Sequence, residues 1–112
     1  MESKLIFQST DNASSNVQVS LLTTDGFVLG RSDNRSSFVP DIDLAEFKAL
    51  EKGVSRRHAA LVNYRGVTHV IDLFSANGTY LNGRRLPPEQ PYPLGDYNEL
   101  RLGTLDIIIT IS

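Results

Sequence analysis

Ser75-Ala76-Asn77-Gly78-Thr79-Tyr80-Leu81-Asn82-Gly83-Arg84-Arg85-Leu86 is the stretch whose punctuation decides the fold. Asn82-Gly83 separates two short β-prone segments, Thr79-Tyr80-Leu81 and Arg84-Arg85-Leu86. Both central residues of a type I′ turn need positive φ, which Asn-Gly tolerates best, so the pair reads as a tight hairpin. Upstream, His58 to Tyr64 and Val67 to Leu73 are β-rich runs joined by Arg65-Gly66, a second two-residue connection.

Farther out the hydrophobic period stays near two. Val17, Val19 and Leu21 alternate with Gln18 and Ser20, and Leu105, Ile107, Ile109 and Ile111 alternate with Asp106 and Thr110, the pattern of half-buried strands. Only Leu44 to Lys52 has helical character, about two turns, with Gly53 as its stop. Parallel βαβ units would need repeated crossover helices, so the expected class is all-β: an antiparallel sandwich with a short helical insertion. Asp11 to Asn16 and Pro87 to Pro91 read as loops too short to separate domains, and the 112 residues read as one domain.

Composition narrows the functions. The chain has no cysteine, which removes a disulfide scaffold, a Cys-based zinc site and a catalytic thiol. The start, Met1 to Gln8, lacks the apolar core of a secretory signal, and no run approaches membrane-spanning length, so the reading is a cytoplasmic chain with no membrane partner. A net charge of -2 and the absence of Trp disfavour nucleic-acid binding. Nine of the eleven Lys and Arg residues nevertheless fall between Arg31 and Arg85.

Donors dominate three segments in that region: Gly30-Arg31-Ser32, Gly53 to His58, and Ser75 to Gly83. Arg offers a planar fork, Ser and Asn add short directed donors, and glycine lets backbone N–H groups approach an anion. These are the parts of a phosphate pocket. Ser55, His58 and Asp72 also have the side chains of a catalytic triad, but Gly53-Val54-Ser55-Arg56-Arg57 lacks the second glycine of a nucleophile elbow and no helix follows it, so no enzyme activity is expected. The other histidine, His69, has no ligand-like spacing to His58, so no metal or other cofactor is expected. Arg57, Arg84 and Arg85 are read as solvated surface.

Taken in order, Gly30-Arg31, Ser55-Arg56-x-His58, Asn77-Gly78-Thr79 and Asn82-Gly83 resemble the forkhead-associated (FHA) domain family, and Asn98 to Gly103 fits its closing pattern. The resemblance runs from about Phe27 to Ile111. It implies an FHA/SMAD-like sandwich of about eleven strands whose end loops bind phosphothreonine in a partner protein, as a monomeric module in Ser/Thr-kinase signalling. Arg31 and Ser55 match positions that contact the phosphate, Arg56 one that contacts phosphate or peptide, and Asn77 one that hydrogen-bonds peptide backbone. Gly30, His58, Gly78, Thr79, Asn82 and Gly83 match positions that brace the loops. There are two departures. Ala76 stands where many members place a Thr or Ser that donates to the phosphate, with its own N–H or Ser75 as a substitute donor, and Pro40 to Lys52 is a long insertion. The loss at Ala76 sustains an alternative, a phosphate-independent interaction module on the same fold.

Overall fold

Alternation along β10 (Tyr97–Leu102) and β11 (Leu105–Ile111) sets the layout. Asn98, Leu100, Leu102, Leu105, Ile107 and Ile109 turn inward, while Glu99, Arg101 and Asp106 face water. A strand with one apolar face gains its stability only by burying that face against another layer. In this computed structural model, which describes residues 3–10, 16–21 and 26–111, the second layer is a separate sheet.

The first sheet has the order β2-β1-β11-β10-β7-β8, with β1 Ser3–Ser9, β2 Asn16–Leu21, β7 Thr79–Leu81 and β8 Arg84–Arg85. The second has the order β4-β3-β5-β6-β9, with β3 Gly26–Gly30, β4 Ile42–Asp43, β5 Arg57–Tyr64, β6 Val67–Asp72 and β9 Tyr92–Pro93. Leu5 and Phe7 from the first sheet meet Leu29, Ala59, Leu61 and Val70 from the second in one core. The result is the expected β-sandwich, with eleven strands among the described residues. Strand β2 covers the Val17–Leu21 alternation, whose side chains lie outside the described residues, as does the loop at 11–15. No helix among the described residues is long and apolar enough to cross a membrane.

Both two-residue hairpins form. Asn82 (φ 50°) and Gly83 (φ 87°) join β7 to β8, and Arg65 (φ 53°) and Gly66 (φ 81°) join β5 to β6. Two expectations change. The sandwich is not wholly antiparallel, because the insertion returns β4 parallel to β3, pairing Leu29 with Ile42 and Gly30 with Asp43. Nor is Leu44 to Lys52 a two-turn helix: a 3₁₀ turn covers Ala45–Phe47 and ends at Lys48 in the left-handed conformation. Packing explains the break. Leu44, Ala49 and Val54 are all buried, and their spacing of five residues does not fit one helical face, so the chain instead folds back with Val54 N–H donating to the Ala49 carbonyl.

Candidate functional site

Four loop segments gather at one end of the sandwich, and short backbone contacts hold them there. Gly30 shows how close they come: a Cβ at this position would lie 1.8 Å from the Arg56 carbonyl oxygen, so only glycine lets β3 pass the start of β5. Immediately beyond, the Arg31 N–H donates to that carbonyl (3.3 Å). The β10–β11 turn closes the far side, where Gly103 N–H donates to the Gly78 carbonyl (3.0 Å) and Thr104 N–H to the Lys52 carbonyl (2.8 Å).

Beneath the loops lies a buried polar network. Ser55 N–H donates to His58 Nδ1 (3.0 Å), so the ring proton resides on Nε2, which donates to the Gly78 carbonyl (2.8 Å). Burial pushes the His58 pKa down, against the Gly78 carbonyl and the Asp72 charge, which favour the protonated ring. The buried Asp72 carboxylate accepts from the hydroxyls of Ser75 and Thr79 (2.6 Å each) and from Ser75 N–H (3.3 Å). Ser75 Oγ in turn accepts from Gly78 N–H (3.0 Å).

These bonds rule out a catalytic triad. It is the Ser55 backbone, not its hydroxyl, that meets His58, and Asp72 is bonded to Ser75 and Thr79 rather than to the imidazole. They also correct one expectation: the single proton of the Ser75 hydroxyl is committed to Asp72, so Ser75 cannot replace a donor at Ala76.

Above the network the groups face outward. Arg31 Nε donates to the Val54 carbonyl (2.7 Å), which aims the remaining edge of its guanidinium at Asp33 (3.0 Å). Arg56 Nε reaches the same carboxylate oxygen at 2.8 Å, so two cations from different loops converge on one anionic oxygen. The Arg35 N–H (2.8 Å), followed by the Arg56 and Arg31 side chains, holds Asp33 at a pKa of about 2, with partial desolvation opposing them. Arg31 is mostly buried (16% exposed) and Arg56 half exposed (46%).

Ser55 Oγ accepts from Ala76 N–H (3.1 Å), an arrangement that commits this N–H and leaves the serine proton with no acceptor among the described residues. Asn77 Nδ2 donates to the Gly53 carbonyl (2.9 Å), and no donor among the described residues bonds the amide oxygen. Arg31, Asp33, Asn34, Arg35, Leu50 and Arg56 line a shallow cleft of about 390 Å³. Leu50, 65% exposed, is what the insertion contributes to this rim. A larger groove of about 600 Å³ crosses the outer face of β10 and β11 but contains none of the four predicted contact residues.

A family model for the FHA domain matches residues 27–103, a span that contains Arg31, Ser55, Arg56 and Asn77 and ends at Gly103 in the β10–β11 turn. The chain belongs to the FHA domain family. FHA domains are phosphothreonine-binding modules and not a family of enzymes. The probable E3 ubiquitin-protein ligase dma1 of Schizosaccharomyces pombe is 36% identical over 67 residues, covering 56% of this chain; the match spans only 24% of that relative. Among solved structures, a chain from a structural and functional analysis of phosphothreonine-dependent FHA domain interactions is similar over 97% of both chains, with TM-score 0.71 and 27% identity. The FhaA FHA domain complexed with the intracellular domain of Rv3910 is similar over 94% of this chain and 98% of its own, with TM-score 0.67 and 27% identity.

Five side chains at this FHA loop end make contacts that the sequence reading did not assign to them. Asp33 acquires its role only through Arg56, which is 23 residues away. Ser75 and Asp72 bond at a separation of 3, a local cue visible in Asp-x-x-Ser once the segment is known to be a turn. Arg85, read as solvated, lies over the Tyr80 ring with its guanidinium carbon 5.8 Å from the centroid. Arg57 likewise stacks over Phe38 at 4.2 Å.

Proposed function

We propose that this FHA domain binds a phosphothreonine-containing segment of a partner protein in Ser/Thr-kinase signalling, acting in the cytoplasm as a monomeric, single-domain module. Arg31 and Ser55 contact the phosphate, Arg56 contacts phosphate or peptide, and Asn77 bonds the peptide backbone. Gly30, His58, Gly78, Thr79, Asn82 and Gly83 hold the loops. The observation that carries this reading is the convergence of Arg31 and Arg56 on one oxygen of Asp33, for two guanidiniums aimed at one anionic oxygen suit a phosphoryl group. The uncommitted Ser55 proton adds a donor beside them. The likeness to a chain from the analysis of phosphothreonine-dependent FHA domain interactions supports the ligand class.

A phosphate-independent mode is the second reading, and Ala76 favours it: residue 76 brings no hydroxyl, its N–H is bonded to Ser55, and Ser75 is committed to Asp72. Calorimetry with a phosphothreonine peptide library and its unphosphorylated twin separates the two. Binding of the phosphorylated set alone, with Kd on the order of micromolar, is expected for a short peptide that orders on binding. Equal affinity for both sets would establish the second reading instead.

A further inference from the structure

Arg31-Ser32-Asp33-Asn34-Arg35 sets a single acid between two arginines, and folding brings a third, Arg56, to the same place. Asp33 is the one carboxylate among the described residues that line the cleft of about 390 Å³ shared by these arginines. Its two oxygens are used differently. Oδ1 accepts from the Arg35 N–H (2.8 Å), which closes a local turn, while Oδ2 takes both Arg31 Nη1 (3.0 Å) and Arg56 Nε (2.8 Å). The turn is anchored from behind as well, because Asp43 accepts from the Ser32 N–H (3.0 Å) and from the Ser32 hydroxyl.

Arg31 does not need Asp33 to aim it. Its Nε donates to the Val54 carbonyl (2.7 Å) and its backbone N–H to the Arg56 carbonyl (3.3 Å), so the side chain keeps its direction whatever bonds its outer edge. The carboxylate therefore acts by charge: it neutralises guanidiniums that would otherwise repel one another, and it does so on the donors that a phosphoryl group would use. A phosphoryl group brings about -1.5 to -2 charges and three acceptor oxygens, so it can win the exchange. It does so only against a like charge that the chain keeps close by. With a pKa of about 2, lowered first by the Arg35 N–H, Asp33 stays ionised and the competition persists at neutral pH.

We propose that Asp33 is an internal occupant of the phosphoryl site: its carboxylate holds Arg31 and Arg56 in the free domain, and a phosphorylated segment binds by displacing it. The apparent affinity is then the intrinsic affinity reduced by the fraction of molecules whose arginines are released. The proposal rests on the phosphothreonine reading above and names what restrains that site.

Asp33→Asn keeps an oxygen for the Arg35 N–H and removes the charge. By calorimetry it should bind a phosphothreonine peptide about five- to tenfold more tightly than the wild type, with no gain for the unphosphorylated peptide. Glu46→Gln removes the same charge from an exposed position in the insertion and should change affinity by less than about twofold. In a crystal structure of the wild-type complex, a phosphoryl oxygen should stand where Asp33 Oδ2 now meets Arg56 Nε, with Asp33 turned away. Equal or weaker binding by Asp33→Asn at an unchanged urea midpoint overturns the proposal and makes Asp33 a positioning residue. A gain of the same size in Glu46→Gln also overturns it, as does a complex in which both arginine bonds to Asp33 survive; that complex decides the matter alone if Asp33→Asn does not fold. If neither the wild type nor Asp33→Asn binds any phosphorylated peptide, the phosphothreonine reading fails and this proposal with it. Binding by the wild type without a gain in Asp33→Asn overturns this proposal alone.

Discussion

Two polar clusters meet at Ser55, one facing inward and the other outward, and they differ in how their hydrogen-bonding capacity is used. Inward, His58, Asp72, Ser75, Gly78 and Thr79 bond one another, and no buried side-chain polar atom among the described residues lacks a partner. Outward, Arg31 and Arg56 share one carboxylate oxygen, while the Ser55 proton and the Asn77 amide oxygen have no partner among the described residues. Burial makes an unmet hydrogen bond costly, so the inner cluster is closed and fixes loop positions. At the surface water covers the cost, and open donors persist there until a ligand takes them.

The largest effect expected from this contrast is on stability. Asp72→Ala orphans the buried Thr79 hydroxyl and the half-buried Ser75 hydroxyl and should cost about 3 kcal/mol of folding free energy, with phosphopeptide binding lost as the 75–78 loop loosens. Urea unfolding measures it. A normal unfolding midpoint with abolished binding would show instead that the inner cluster acts on the ligand.

Arg31→Ala tests the outer cluster and should weaken phosphopeptide binding by about 2 kcal/mol, as expected for truncating one partner of a charge-assisted contact. Stability should fall by only about 1 kcal/mol, because the Arg31 bond to the Val54 carbonyl is lost while no core group is exposed. Parallel calorimetry and urea titrations read both quantities. Unfolding with no separable binding defect would move Arg31 into the inner cluster.

His58 gives the inner cluster a pH dependence. Its pKa is depressed from the ordinary 6.5 by burial, so the unfolded chain takes up a proton before the folded one does. The stability tied to the neutral ring is complete above pH 6.5 and is lost as pH falls from there through the lower folded value. The urea midpoint should therefore drop between pH 7.5 and pH 5.5, and an NMR titration of the ring should show a midpoint below 6.5. A higher midpoint would mean that the Gly78 carbonyl and Asp72 outweigh burial.

The parts of this FHA domain that could be read from sequence are those whose cause is local. Period-two runs gave strands, and Asn82-Gly83 and Arg65-Gly66 gave turns, because positive φ is a property of two adjacent residues. The ordered motif located Arg31, Ser55, Arg56 and Asn77 at one end. Long-range packing was not legible. Leu44 to Lys52 has helical composition, but the core demanded Leu44, Ala49 and Val54 together and overrode it. Asp33 is one acid among 13 until folding brings Arg56 to it. Arg85 looked like any hairpin arginine because its neighbour in space, Gly78, lies across a register that the sequence only implies.

Ala76→Thr should have the smallest effect and sharpens the boundary between the clusters most directly. Nothing at residue 76 now donates outward, since its N–H is bonded to Ser55 Oγ and the Ser75 proton is held by Asp72. Residue 76 is exposed and is not among the positions with positive φ, so a β-branched side chain meets neither a packed wall nor a left-handed backbone. A threonine hydroxyl there would add one donor facing the position that Arg31 and Ser55 serve. The expected gain in phosphopeptide affinity is about 0.5 to 1.5 kcal/mol, the net value of one hydrogen bond, with no change for the unphosphorylated peptide. Ala76→Ser serves as a control for β-branching and should give a similar gain. If both substitutions leave affinity unchanged while the urea midpoint is kept, the phosphoryl group does not approach this loop, and Arg31 and Arg56 bind it from the Asp33 side alone.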